Sequence, residues 1–231
     1  AERERWYVRT TGEVRRLTDS LRVTLGYDNR EAVAAEITRL LLQMHLYEHE
    51  HDAGRTGTWI PTPGLTRFWL LDPRPEEIHL TDVPRLLSPL PRFLGGTLGG
   101  TTYSVAQHSV LVSRVVRPEN ALAALLHDAS EAYTGDIVTP LKTLIGMVFR
   151  PIEDAITDAV YRRFGVTVDA EAAEDVKRAD RVLLRTEARD LVPCGFVKSV
   201  IKENPLPNLI VPVDACQAYT MFMDRFAELA G

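Results

Sequence analysis

The placement of helix breakers constrains this chain more than any other feature. Residues 53–103 hold seven of the 14 prolines and seven of the 14 glycines. Residues that fix or free the backbone at that density read as turns and short elements. They leave room for a hairpin around Trp59-Ile60 and Phe68-Trp69-Leu70 and for one short helix near 81–88. Residues 104–230 carry few breakers before the 205–212 loop and predict a helical bundle. The first 52 residues are charged and helix-patterned. Val14, Leu17, Leu21 and Leu25 recur at helical spacing. Val33, Ile37, Leu40, Leu41 and Met44 do so again after a break at Gly26-Tyr27-Asp28-Asn29. The expected fold class is all-α in three parts: a helical N-terminal extension over 1–52, a Pro/Gly-rich lead-in over 53–103, and a helical core over 104–231. No internal repeat or low-complexity tract interrupts them.

Five core helices are expected. Ser104 and Gln107 have capping-box spacing, and Val105, Val110, Leu111 and Val115 give the helix they open an apolar face. A second helix is expected over 119–133, with Leu122, Leu125 and Leu126 inward. A third covers 151–163, opened by Pro151 at its first position. A fourth covers 170–191, and a fifth 214–229, started by Asp214.

Composition narrows the function classes. Apolar residues are 45% and charged residues 26%, which excludes a disordered chain or a pure coiled coil. The 27 basic and 32 acidic side chains leave a net charge of -5, unlike the basic face that a nucleic-acid polymer needs. A site for one small anion is still allowed, because a metal ion brings its own positive charge. Two cysteines, Cys194 and Cys216, make no disulfide scaffold and fit a cytoplasmic protein. No apolar run reaches the roughly 18 residues of a membrane span. Residues 1–5 lack the apolar region of a secretory leader, and the first residue, not a Met, suggests a trimmed chain.

Metal-ligand residue types recur in the core. His108 lies one turn into the first core helix, His127-Asp128 ends the apolar run 121–126, and Asp180 falls mid-helix. A charge on an apolar helix face is expensive unless it is paired or coordinates a metal. Facing helices of a bundle can bring such groups to one ion.

This H…HD…D spacing resembles the HD-domain metal-dependent phosphohydrolase superfamily over roughly residues 90–191. Ser104-Val105-Ala106-Gln107-His108-Ser109 is similar to the family's S-V-A-x-H-S helix. The run from His127-Asp128 through Glu131, Gly135-Asp136 and Pro140 to Lys142 resembles its H-D-x-x-E-x-x-x-G-D-x-x-x-P-x-K string. That string typifies the 5′-deoxynucleotidase branch and related phage and prophage hydrolases. Arg92, sixteen residues before His108, matches that branch's arginine in position, and residues 71–78 resemble the phage-type lead-in. Residues 1–52 carry no such resemblance. The resemblance implies an HD-domain helical bundle and one divalent metal held by His108, His127, Asp128 and Asp180. It also implies catalytic or substrate-contacting roles for Glu131 and Asp136, and a homo-oligomer.

Chemistry built on these residues agrees. Two histidines and two aspartates suit Mn, Fe, Co, Zn or Ni better than Ca. Glu131, one helical turn beyond His127 on the expected helix, is placed to exchange a proton with water or the leaving alcohol. Arg92 can grip a phosphate through its planar fork, and Lys142 can add a point charge. Phe93 can stack on a base, crowd the sugar, or belong to the core. The expected reaction is metal-dependent hydrolysis of a nucleotide, first as a 5′-deoxynucleotidase. The alternatives are a dNTP triphosphohydrolase, with a dATP preference allowed, and a non-catalytic nucleotide sensor. Two further readings stand aside. His45-Leu46-Tyr47-Glu48-His49 has an inverted zinc-peptidase pattern, but its polar neighbours Glu50, His51 and Asp52 suit a solvated helix end. His79 has no partner pattern and reads as a surface residue.

Overall fold

The computed structural model describes residues 54–230 apart from 56, 65, 101 and 193–201. The extension expected over 1–52, with its H-x-x-E-H segment, and Cys194 lie outside the described residues. Residues Gly57–Gly231 form one compact unit. It opens with an antiparallel hairpin of β1 (Trp59–Pro61) and β2 (Arg67–Trp69), with Ile60 opposite Phe68. Among the described residues seven α-helices follow: α1 (Asp82–Leu87), α2 (Val105–Ser113), α3 (Ala121–Leu125), α4 (Glu131–Thr134), α5 (Thr139–Arg163), α6 (Ala170–Asp190) and α7 (Ala215–Ala230). The described part of the chain is thus mostly helical, as an all-α fold requires. None of its helices is long and apolar enough to cross a membrane.

The bundle is organised around α2. All its residues except Leu111 are buried, and it packs against α1, α3, α6 and α7. A helix surrounded in this way has no solvent face, so its apolar residues are spread round it and its polar ones are buried with them. One side joins Val110 to a cluster with Phe68, Ile78, Leu87, Leu126, Ile156 and Phe222. The other joins Val112 to Ala124, Val176, Ala179 and Leu183. Full burial of one such leucine contributes about 1.5–3 kcal/mol. The polar residues of α2 must then find partners inside the protein.

Several expectations change. No boundary falls at 103/104: Phe68, Ile78, Val83 and Leu87 of the lead-in belong to the same core as α2, and Phe68 stacks on Tyr133 at 3.8 Å between ring centroids. The capping box at Ser104 is half made. Its hydroxyl accepts from Gln107 N at 3.2 Å, but the Gln107 side chain turns away to bond Val211 O and Val213 N. The helix expected over 119–133 is a three-residue 3-10 turn (Pro118–Asn120), α3, a turn over 126–130 and α4. Nothing in its sequence breaks the helix; the break lies where His127-Asp128 must face other elements. The helix expected from Pro151 begins twelve residues earlier, at Thr139, and Pro151 lies inside it. Pro140 suits the first turn of that helix, and Ile156, Ala159 and Val160 anchor its far half in the core. Its near half leaves Leu141, Leu144, Met147 and Val148 exposed. His79 is not a surface residue: it is half-buried beside Gly64, where an added Cβ would stand 2.7 Å from Asp82 Oδ2 and 3.0 Å from His79 Cδ2.

Candidate functional site

Three segments meet at the site. His108 comes from the middle of α2 and is fully buried. His127 and Asp128 come from the turn after α3, where Ala129 N bonds Leu126 O and Glu131 N bonds Asp128 O. Asp180 comes from the half-buried edge of α6. Asp128 Oδ2 lies 3.2 Å from His127 Nε2 and 3.6 Å from His108 Nε2. Asp180 Oδ1 lies 3.2 Å from His108 Nε2. The two imidazole rings are 5.4 Å apart at their centroids.

Hydrogen bonding at the far side of each ring fixes how it faces the centre. His127 Nδ1 donates to Ala124 O at 2.8 Å, and His108 Nδ1 donates to Glu187 Oε1 at 2.6 Å. Both Nε2 atoms are buried and without a hydrogen-bond partner. Buried polar atoms in proteins are nearly always paired, so two orphaned nitrogens beside one carboxylate need an explanation. His108, His127 and Asp128 each offer an atom within 4.8 Å of the others, and together they can hold a metal ion. An Nδ1–H tied to a carboxylate or carbonyl is the usual outer partner of a metal-binding histidine.

Electrostatics follow from the packing. Burial and Arg92 push the His108 pKa down, but Glu187 and Asp180 prevail and raise it to about 9. Burial raises the Asp180 carboxyl, yet the His108 ring against it holds it well below the usual carboxylate range. Glu131 is buried in the first turn of α4. Burial, then the negative Asp128 and Asp136, push its carboxyl up to about 8 against the pull of Lys142 and Arg92. Its Oε1 accepts from Lys142 Nζ at 3.1 Å, and its Oε2 is buried without a partner. Lys142 also bonds Glu153 at 2.7 Å, so its charge serves two carboxylates. Glu131 does not continue a helix from His127; it starts the next one. Asp136 follows Gly135, whose φ of 80° and ψ of 161° suit glycine and close α4. Burial raises the Asp136 carboxyl, with Arg92 opposing and Asp128 adding to it.

Arg92 and Phe93 stand on the rim. Arg92 NH2 bonds Glu187 Oε2 at 3.2 Å, and NH1 lies 3.6 Å from Asp128 Oδ2. Its backbone N–H bonds Tyr103 O. Phe93 and Leu94 both have φ of 55°, an uncommon pair for bulky side chains. The Phe93 ring lies 5.5 Å from the guanidinium and is half-buried, so it is neither core nor fully exposed.

Sequence reading overlooked Glu187. It is fully buried and accepts bonds from His108, Arg92 and Tyr103, the last at 2.9 Å. The available signal was its spacing: Glu187 stands seven residues after Asp180, two helical turns along the same face of α6.

No family model matches this chain. It is similar to an uncharacterized protein of Rhodobacter capsulatus, 40% identical over 139 residues, which cover 56% of this chain and 70% of that protein. It is also similar to the uncharacterized protein YfdR of Escherichia coli, 37% identical over 158 residues, which cover 67% of this chain and 86% of YfdR.

Proposed function

This chain belongs to the family of YfdR and its Rhodobacter relative, and from that premise we propose that it is a metal-dependent nucleotide phosphohydrolase, a 5′-deoxynucleotidase that releases phosphate from deoxynucleoside monophosphates. One observation carries the reading. Two buried imidazole nitrogens, Nε2 of His108 and of His127, lack partners and converge on Asp128, with Asp180 3.2 Å from the first. His79 Nε2 is buried and unpartnered as well, but these two nitrogens differ from it in sharing one carboxylate. The donor set of two nitrogens and two carboxylates fits Mn, Fe, Co, Zn or Ni.

His108, His127 and Asp128, with Asp180 beside them, would hold a divalent ion, which would supply positive charge against the phosphate oxygens and make water a better nucleophile at neutral pH. The chain's own residues do the rest. Arg92 binds the phosphate through the N–H groups that its Glu187 and Asp128 contacts leave over. Glu131 is the buried proton carrier, held by Lys142 and flanked by Asp136, and it exchanges a proton with the water or the leaving 5′ oxygen of the deoxynucleoside. Asp136, at the exit of α4, contacts the substrate. Phe93 packs on the nucleoside at the rim. A sensor that only binds nucleotide has no need of a buried proton carrier beside its ligand set, and this favours turnover.

The test is product analysis. Metal-stripped protein is supplied with Mn²⁺ or Co²⁺ and offered dAMP, AMP, dGMP, dTMP, dATP and ATP, and the products are resolved by chromatography. Phosphate from the monophosphates, faster from the deoxy forms, is the expected result. Nucleoside plus triphosphate from dATP would instead make it a triphosphohydrolase. Binding without turnover of any of the six would make it a sensor.

A further inference from the structure

Glu187 is a fully buried carboxylate at the site that the proposed chemistry leaves without a task. Burying a charge is costly unless it is paired and hydrogen-bonded. Three donors meet this one. His108 Nδ1 and the Tyr103 hydroxyl donate to Oε1 at 2.6 Å and 2.9 Å, and Arg92 NH2 donates to Oε2 at 3.2 Å. Two of the three belong to the site, and they serve different parts of it. His108 offers its other nitrogen to the metal position, while Arg92 faces the phosphate position.

We propose that Glu187 is a positioning residue that couples metal holding to phosphate gripping, by fixing the His108 ring and the Arg92 guanidinium through one carboxylate. The inference rests on the metallo-phosphohydrolase reading. With Nδ1–H committed to Glu187, Nε2 is the nitrogen of His108 left to bind a metal, and it points to Asp128 and Asp180. With NH2 committed to the same group, Arg92 is held with NH1 toward Asp128. Tyr103 supplies the third bond and lies outside the ligand set. A carboxylate is suited to this place because it only accepts, and all three partners donate. Glutamine has the same shape, but whichever way it turns, its NH₂ faces at least one of those donors.

Glu187→Gln therefore tests the coupling with little change in packing. The probes are Co²⁺ alone, then inorganic phosphate added to the Co²⁺-loaded protein, so neither readout depends on the nucleotide. The expected result is Co²⁺ affinity weaker by about 10–100-fold with altered visible absorption bands. Phosphate affinity should also fall, by roughly tenfold. Unchanged Co²⁺ affinity and spectrum in the folded variant would overturn the inference. If Glu187→Gln does not fold, the wild-type protein still decides. Its Co²⁺ form should give two hyperfine-shifted, exchangeable imidazole protons, one from His108 and one from His127. A spectrum from which the His108 proton is missing means that His108 does not donate to Glu187, and the inference falls. Failure to bind Co²⁺ in the wild type overturns both this inference and the metal reading. Co²⁺ binding without nucleotide turnover overturns only the enzymatic reading and leaves the Glu187 comparison valid.

Discussion

Helix α6 buries acidic side chains at two places, and the two are built on opposite principles. Near its start, Asp175 Oδ2 accepts from Asn120 Nδ2 at 2.8 Å and from Arg117 N at 2.9 Å, while Oδ1 accepts from Arg178 at 2.7 Å. No buried side-chain atom of that cluster lacks a partner among the described residues. Further along, Asp180 and Glu187 face a region where His108 Nε2, His127 Nε2, Glu131 Oε2 and Arg92 Nε are all buried and unpartnered. The first cluster joins the start of α6 to the loop before α3 and is complete in itself. The second gathers lone pairs and carboxylates that the protein alone does not satisfy. Buried charge therefore marks function only where the pairing is incomplete.

The largest effect that would break this contrast comes from the unpartnered cluster. His127→Ala should abolish stoichiometric metal binding and lower turnover by more than about 100-fold, beyond the loss typical of an outer-shell change. Metal analysis of the dialysed variant checks it, and retained metal would remove His127 from the ligand set. Next comes Glu131→Ala, which should keep the metal and lose about 10²–10⁴ in rate. Rates near wild type with metal in place would take Glu131 out of the chemistry.

At the complete cluster the expected loss is stability alone. Asp175→Asn should cost roughly 1.5–3 kcal/mol at neutral pH, with metal content and turnover per folded molecule unchanged. Burial pushes the Asp175 carboxyl up, but its bonds with Asn120, Arg178 and the Arg117 backbone hold it well below the usual range. Its contribution is present in full above the unfolded value near 3.9 and fades as pH falls toward the folded value. Denaturant curves of the two proteins should therefore converge below about pH 4.

The smallest effect sharpens the comparison from the other side. The folded Glu131 carboxyl titrates at about 8, above its ordinary value of 4.5. Between those values the folded protein keeps a proton that the unfolded chain has released, so stability falls as pH rises. Glu131→Gln cannot ionise. In metal-free protein its advantage in thermal melts should grow steadily from pH 5 to pH 8. An advantage that stays flat across that range would mean Glu131 is already ionised in the folded state.

Sequence reading reached the two clusters unequally. His108, His127, Asp128 and Asp180 were legible because each is a costly residue in an apolar or helical setting; the structure groups the first three within 4.8 Å and places Asp180 against His108. Glu131 and Lys142 were legible singly, but their pairing was not. Glu187 sits in Arg185-Thr186-Glu187-Ala188-Arg189-Asp190, a string like any solvated helix face. Its partners lie 79, 84 and 95 residues away, beyond the reach of local periodicity. The same limit explains the helix expected over 119–133. Local propensity favours one helix, whereas the burial of Leu125, Leu126, Ala129 and Tyr133 in one core favours the break.

Both clusters ride on one unbroken helix, and that gives α6 something like a reading frame. Inserting a single residue between Asp175 and Asp180 would turn everything beyond it by about 100° and advance it by about 1.5 Å. Asp180 and Glu187 would leave the site together while Asp175 stayed where it is. Substitutions at an exposed position such as Lys177, which joins neither cluster, leave that frame intact. The helix should therefore tolerate many spellings at such positions and almost no change of length.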